Sequence, residues 1–216
     1  MKLAWLFGLV APLLLAACAS TAQFGRQVDL AKLSGVVVSD GWQPGERIVP
    51  GASIGKYSTG PKREGKSPGG YNYDIFGDGS GGIDVPGPSV ASGWSIGCTK
   101  DKITDKRNCE ITSHDARLLI WYGTSASPTS VCIIGHDFPG RTGAIRVDGQ
   151  GAVTTDREGC ASGSIVGALS KGTKVVVRYV EWPYDYSRDN EAGLAGLSDA
   201  IALMTFIRGN IDRLPF

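Results

Sequence analysis

The stretch Gly93-Trp94-Ser95-Ile96-Gly97-Cys98, answered further along by Cys109-Glu110-Ile111-Thr112, carries the reading of the fold. In both pieces a large apolar residue alternates with a small or polar one. That period of two belongs to a half-buried strand, and it sets Cys98 and Cys109 on the apolar faces of two strands. Residues 99–108 between them, Thr-Lys-Asp-Lys-Ile-Thr-Asp-Lys-Arg-Asn, are almost entirely polar and charged, as an exposed hairpin loop should be.

Working outward, further short strands are expected over 118–122, 131–134, 144–147 and 174–182, the last rich in valine. Residues 165–170 read as a short helix ending at Gly172. A longer helix closes the chain: Leu194, Leu197, Ile201 and Met204 recur at spacings of three and four, with Asp189 or Asn190 as N-cap and Gly209 as the stop. Its apolar stripe is expected to pack on a sheet, because a membrane-surface helix would carry more Lys and Arg on its polar face.

Upstream, residues 41–90 hold 13 of the 31 glycines and 6 of the 11 prolines, and they read as a Gly/Pro/Tyr-rich loop segment. Aromatic residues punctuate it. Two outcomes would offset the cost of leaving these rings wet: they fold back on the domain as a lid, or they dock on a partner as anchors. Trp42, Tyr71, Tyr73 and Phe76 are the binding candidates.

The beginning of the chain has a different character. Lys2 precedes an apolar run from Leu3 to Leu15, and small residues lead to Cys18. This anatomy is that of a secretion signal over residues 1–17. Leu15-Ala16-Ala17-Cys18 resembles the lipobox of bacterial lipoproteins, which implies acylation of Cys18 and cleavage just before it. Ala19 follows, so the lipoprotein resemblance implies sorting to the outer membrane, the protein facing the periplasm or the cell surface. Residues 18–40 are then a lipidated tether with a possible first strand at Gly35-Val36-Val37-Val38.

Without Lys2 the mature chain carries 21 basic and 21 acidic residues, a balance that argues against nucleic acid as a partner. With Cys18 assigned to lipid, four cysteines remain, and an even count outside the cytosol reads as two disulfides. Three pairings are possible. Cys98 and Cys109 face inward near the ends of adjoining hairpin strands, so Cys98–Cys109 and Cys132–Cys160 are expected. No Cys-x-x-Cys pair exists, and no metal or other cofactor is expected.

Gly93-Trp94-Ser95-Ile96-Gly97 matches the G-x-S-x-G nucleophile elbow, but that device needs a strand turning directly into a helix. Here a charged loop and a second strand follow, so Ser95 reads as an exposed strand serine. His114-Asp115 and His136-Asp137 pair an acid with a base in sequence, yet neighbours at a strand end need not meet; surface or turn roles are expected. Asp74, Asp78 and Asp84 lie among glycines without the EF-hand spacing and read as solvated loop. No residue is assigned as catalytic.

Trp94-Ser95-Ile96-Gly97-Cys98, Cys109, the later Cys132 and Cys160, and Leu194-Ala195-Gly196-Leu197-Ser198-Asp199-Ala200 form an ordered set. Gly159-Cys160, a short apolar helix, Lys171-Gly172 and a valine-rich strand stand between its last two members. This order resembles the invasion-associated locus B family of proteobacterial envelope proteins, over roughly residues 90–208. The resemblance implies an all-β domain over 91–216: a disulfide-stapled antiparallel β-sandwich or barrel-like domain with a C-terminal α-helix. It also implies a part in host-cell interaction or invasion in some members, with no catalytic residues to carry over. The lipobox and residues 41–90 lie outside the shared region. The expectation is an outer-membrane-anchored lipoprotein, held to the membrane through Cys18 and acting as a binding module toward another envelope protein or a surface ligand. The rival is a small hydrolase of envelope polymer using Ser95, His114 or His136.

Overall fold

The computed structural model describes residues 43–49, 62–87 and 92–214. Two antiparallel sheets, two disulfides and a C-terminal helix make up a mostly β protein. The first sheet is a meander of β1 (Gln43–Val49), β2 (Lys62–Lys66), β3 (Asn72–Phe76), β4 (Ser80–Asp84), β5 (Gly93–Lys100), β6 (Arg107–Ser113), β7 (Leu118–Gly123) and β8 (Ser130–Ile133), closed by β11 (Cys160–Ser162) beside β8. The second sheet has the order β10 (Val153–Thr154), β9 (Ala144–Val147), β12 (Lys174–Val180), β13 (Ser187–Gly193). Gly163–Ile165 forms a short 3-10 turn leading into α1 (Val166–Leu169), and α2 (Leu197–Asn210) ends the fold.

Alternation decides which faces are buried. Trp94, Ile96 and Cys98 of β5, Ile111 of β6, and Leu118 and Ile120 of β7 join Ile145 of β9 and Val175 and Val177 of β12 in one core. On α2, Leu197, Ala200, Leu203, Met204 and Ile207 are buried, and the helix lies against β4, β5 and β6. The disulfides are Cys98–Cys109 and Cys132–Cys160, each between residues directly opposite in an antiparallel pair.

Three expectations are corrected. Within residues 41–90, the described stretches 43–49 and 62–87 are not a loop segment: β1 to β4 run through them. Their apolar alternation is short, Tyr73 and Ile75 in β3 and then Ile83 in β4, and glycine hides the rest. Gly81 is there because a Cβ would stand 2.6 Å from the Asp74 carbonyl oxygen and 2.9 Å from Ile207 Cδ1, so its smallness lets α2 close on the sheet. Second, Asp189 and Asn190 do not cap the helix. They sit in β13, a strand without large apolar residues, paired along its length with β12 and tied by Arg178–Asp189 at 2.7 Å and Lys174–Glu191 at 3.0 Å. The N-cap is Gly196 at φ 78°, and Gly209 lies inside the last turn. Third, Tyr73 is 1% exposed and belongs to the core. Burial pushes its phenol above the ordinary value, and it has no surface to offer a partner. Cys18, Trp42 and Gly35-Val36-Val37-Val38 lie outside the described residues.

Candidate functional site: an exposed aromatic loop

The connection from β12 to β13 reads Glu181-Trp182-Pro183-Tyr184-Asp185-Tyr186. Its three rings stand in solvent: Trp182 is 59% exposed, Tyr184 54% and Tyr186 51%. Large aromatics left this wet on a turn are the informative exception to hydrophobic burial.

The loop is nonetheless held in place. Beneath it runs the connection after β8, His136-Asp137-Phe138. The backbone N–H groups of Asp137 and Phe138 both donate to the Val180 carbonyl at 3.2 Å. In return the Val180 N–H donates to His136 Nδ1 at 3.1 Å, and the Trp182 N–H donates to Asp137 Oδ1 at 2.7 Å. Within the loop, the Tyr184 N–H donates to the Glu181 carbonyl at 2.9 Å and the Tyr186 N–H to the Tyr184 carbonyl at 2.8 Å. The Trp182–Pro183 peptide is cis.

Side chains complete the framework. Phe138 packs on Trp182 with ring centroids 5.4 Å apart, and Tyr184 on Tyr186 at 5.9 Å. The Arg188 guanidinium lies 4.9 Å from the Tyr186 ring centroid and 5.6 Å from that of Tyr184, donates to the Tyr186 hydroxyl, and pairs with Glu181 at 3.1 Å. Its hydrogen bond to Tyr186 holds it more firmly protonated than an ordinary arginine. Arg141 reaches Asp185 at 3.2 Å, and Arg117 stacks on the Tyr179 ring at 4.2 Å below. The result is a rigid platform of exposed rings rimmed by balanced charge.

The sequence-expected site residues fall elsewhere. Tyr71 is half-buried against the core and Phe76 is half-buried at the end of β3. Ser95 is exposed on the opposite face of β5 from Trp94 and Cys98. His114 and Asp115 lie in the turn after β6, on a cavity of about 570 Å³ shared with Trp94, Asn190 and Glu191; neither Ser95 nor His136 lines it. His136 is in a turn as expected, but its ring is buried and both nitrogens are engaged: Nδ1 accepts from Val180, and Nε2 lies 3.2 Å from the Arg141 carbonyl oxygen. The three side chains of the hydrolase reading thus do not share that cavity. Asp78 serves its own turn, accepting from the Ser80 N–H and hydroxyl. Among the described residues no group of three or more His, Cys, Asp or Glu is placed to hold a metal ion, and no helix is long and apolar enough to cross a membrane.

Sequence reasoning does not single out this loop, because the valine-rich strand pattern runs on to Trp182 while the strand itself ends at Val180. Three aromatics within five residues, around a proline and directly after a valine-rich strand signal, are the available sign. In comparisons with known proteins no family model matches the chain, and no curated protein or solved structure matches it significantly.

Proposed function

We propose that this chain is a lipid-anchored protein of the bacterial outer membrane whose β domain works by binding, with the loop Trp182–Pro183–Tyr184–Asp185–Tyr186 as its contact face. The observation that carries this reading is the combination of strong exposure and rigid support in that loop. Trp, Tyr and Arg dominate the energetically decisive positions of binding surfaces, and a pre-ordered loop loses little freedom on engagement. The anchoring part rests on the signal-like residues 1–17 and on Cys18. The order of cysteines, strands and helix supports placing the domain with the invasion-associated locus B family, where a role in host-cell contact is the corresponding proposal. The engaged ring of His136, and the absence of Ser95 and His136 from the cavity that His114 lines, favour binding over hydrolysis.

Crosslinking in intact cells followed by recovery of the tagged chain tests this. The wild type should bring down a discrete envelope component, and the Trp182→Ala/Tyr184→Ala variant should lose it with an unchanged melting temperature. Equal recovery by both would overturn the assignment. Cys18→Ser should abolish lipid labelling, and persistent labelling would overturn the anchor.

A further inference from the structure

We infer that the aromatic loop takes an uncharged glycan chain, an inference that rests on the loop being the contact face. The first ground is charge. Arg141 and Arg188 on the platform are matched by Asp185 and Glu181, each in a direct pair. A surface built for phosphate, nucleic acid or anionic lipid carries an excess of cations, because neutralising the ligand's charge supplies the affinity. This one has no excess to offer.

The second ground is the shape of the apolar area. A standard protein interface covers about 800 Å² per partner around a continuous apolar centre. Here the Tyr184 and Tyr186 rings pack on each other with the Arg188 guanidinium against them, Pro183 sets them off from Trp182 in the chain, and among the described residues the loop has no large exposed aliphatic side chain. The other large exposed apolar side chains among the described residues are Ile103, Trp121 and Val153, on other strands and loops. A small group of exposed rings, bordered by planar carboxylate and guanidinium groups, suits a pyranose. One side of a sugar ring is a patch of C–H bonds that stacks on an aromatic face, while its hydroxyls form hydrogen bonds with planar charged side chains at the rim.

The third ground is rigidity. A flexible polymer already loses freedom on binding, so a receptor fixed in advance adds little further cost. Asp137 on the Trp182 amide, the turn bonds of Tyr184 and Tyr186, and the packing of Phe138 on Trp182 supply that fixation.

The full chain purified in detergent should be titrated calorimetrically with four probes: an N-acetylglucosamine hexamer of the kind found in cell-wall polymer, a neutral lactosamine oligomer of the kind found on animal cells, anionic phosphatidylglycerol vesicles, and neutral phosphatidylcholine vesicles. Saturable binding of at least one oligomer, weakened at least tenfold in Tyr184→Ala and in Trp182→Ala/Tyr184→Ala, and unchanged in Trp121→Ala, supports the inference; the oligomer that binds identifies the source. No binding of either oligomer, undiminished binding by the loop variants, or binding to vesicles alone overturns it. If oligomers fail while loop-dependent crosslinking to an envelope protein persists in cells, the glycan falls and the binding module stands. If crosslinking also ignores the loop, both fall.

Discussion

The Asp137 carboxylate accepts the backbone N–H of Trp182 at 2.7 Å, joining the connection after β8 to the tip of the β12–β13 loop across 45 residues of sequence. One residue before Asp137 and two before Trp182, His136 Nδ1 accepts the N–H of Val180. Two successive side chains therefore hold one loop from below, the first buried and the second at the surface.

Removing these supports has separable effects. His136→Ala leaves the buried Val180 N–H without its acceptor, which costs roughly 1–3 kcal/mol and should appear in chemical denaturation of the whole domain. Asp137→Ala removes a solvent-exposed hydrogen bond whose N–H water can take over, so global stability should fall by less than about 1 kcal/mol. Amide exchange at Trp182 should quicken in that variant while exchange in β5 and β6 stays the same.

Both disulfides bridge directly opposed residues, but their settings differ. Cys98 and Cys109 are buried beneath α2, and Cys98 Sγ lies 4.0 Å from the Met204 carbonyl oxygen; Cys132–Cys160 is partly exposed where β11 joins β8. Replacing either pair with alanine should cost on the order of 3 kcal/mol. Mild reduction should open Cys132–Cys160 first, as followed by mass after alkylation of the native protein.

The start of α2 depends on Gly196. It takes φ 78°, and a Cβ there would stand 2.8 Å from Val85 Cγ2. Just before it, the Ala195 carbonyl accepts the Trp94 indole N–H at 2.8 Å. Gly196→Ala should lower stability by about 1–2 kcal/mol from the left-handed backbone alone, with the steric contact adding to it. Trp94→Phe should also destabilise, through the lost donor to Ala195, and the two are measurable by urea denaturation.

Exposed carboxylates set the acid response. Hydrogen bonds from the Thr173 side chain and backbone and from the Lys174 backbone hold the Asp148 carboxyl below the usual carboxylate range, and Arg178 does the same for Asp189. A depressed folded-state value means that the stabilising contribution is present above the unfolded value of about 3.9 and is lost as pH falls through the folded one. The melting temperature should therefore decline below about pH 4. Asp148→Asn and Asp189→Asn should each flatten that decline, and a slope equal to the wild type would contradict the assignment.

Much of this architecture was legible where large apolar residues alternate without interruption. Trp94, Ile96 and Cys98 announce β5, Leu118 and Ile120 announce β7, and Val175 and Val177 announce β12. The inward positions of Cys98 and Cys109 were legible for the same reason. β3 and β4 were not, because Tyr73, Ile75 and Ile83 are too few to show a period among glycines that serve close packing rather than flexibility. β13 was invisible for a different reason: cross-strand hydrogen bonds and the Arg178–Asp189 pair hold it, and neither leaves an apolar pattern. Aromatics in a Gly/Pro-rich segment drew attention to Tyr71, Tyr73 and Phe76, yet Tyr73 anchors the core while Trp182, Tyr184 and Tyr186 face the solvent.

The claim that the Trp182–Tyr186 loop is the contact face meets its most direct test in site-specific photocrosslinking in living cells. A photoreactive phenylalanine analogue placed at Tyr184 should yield a discrete crosslinked envelope species. The same analogue at Trp121, an exposed ring on β7, should yield none. Crosslinks of equal strength from both positions, or from Trp121 only, would contradict the account.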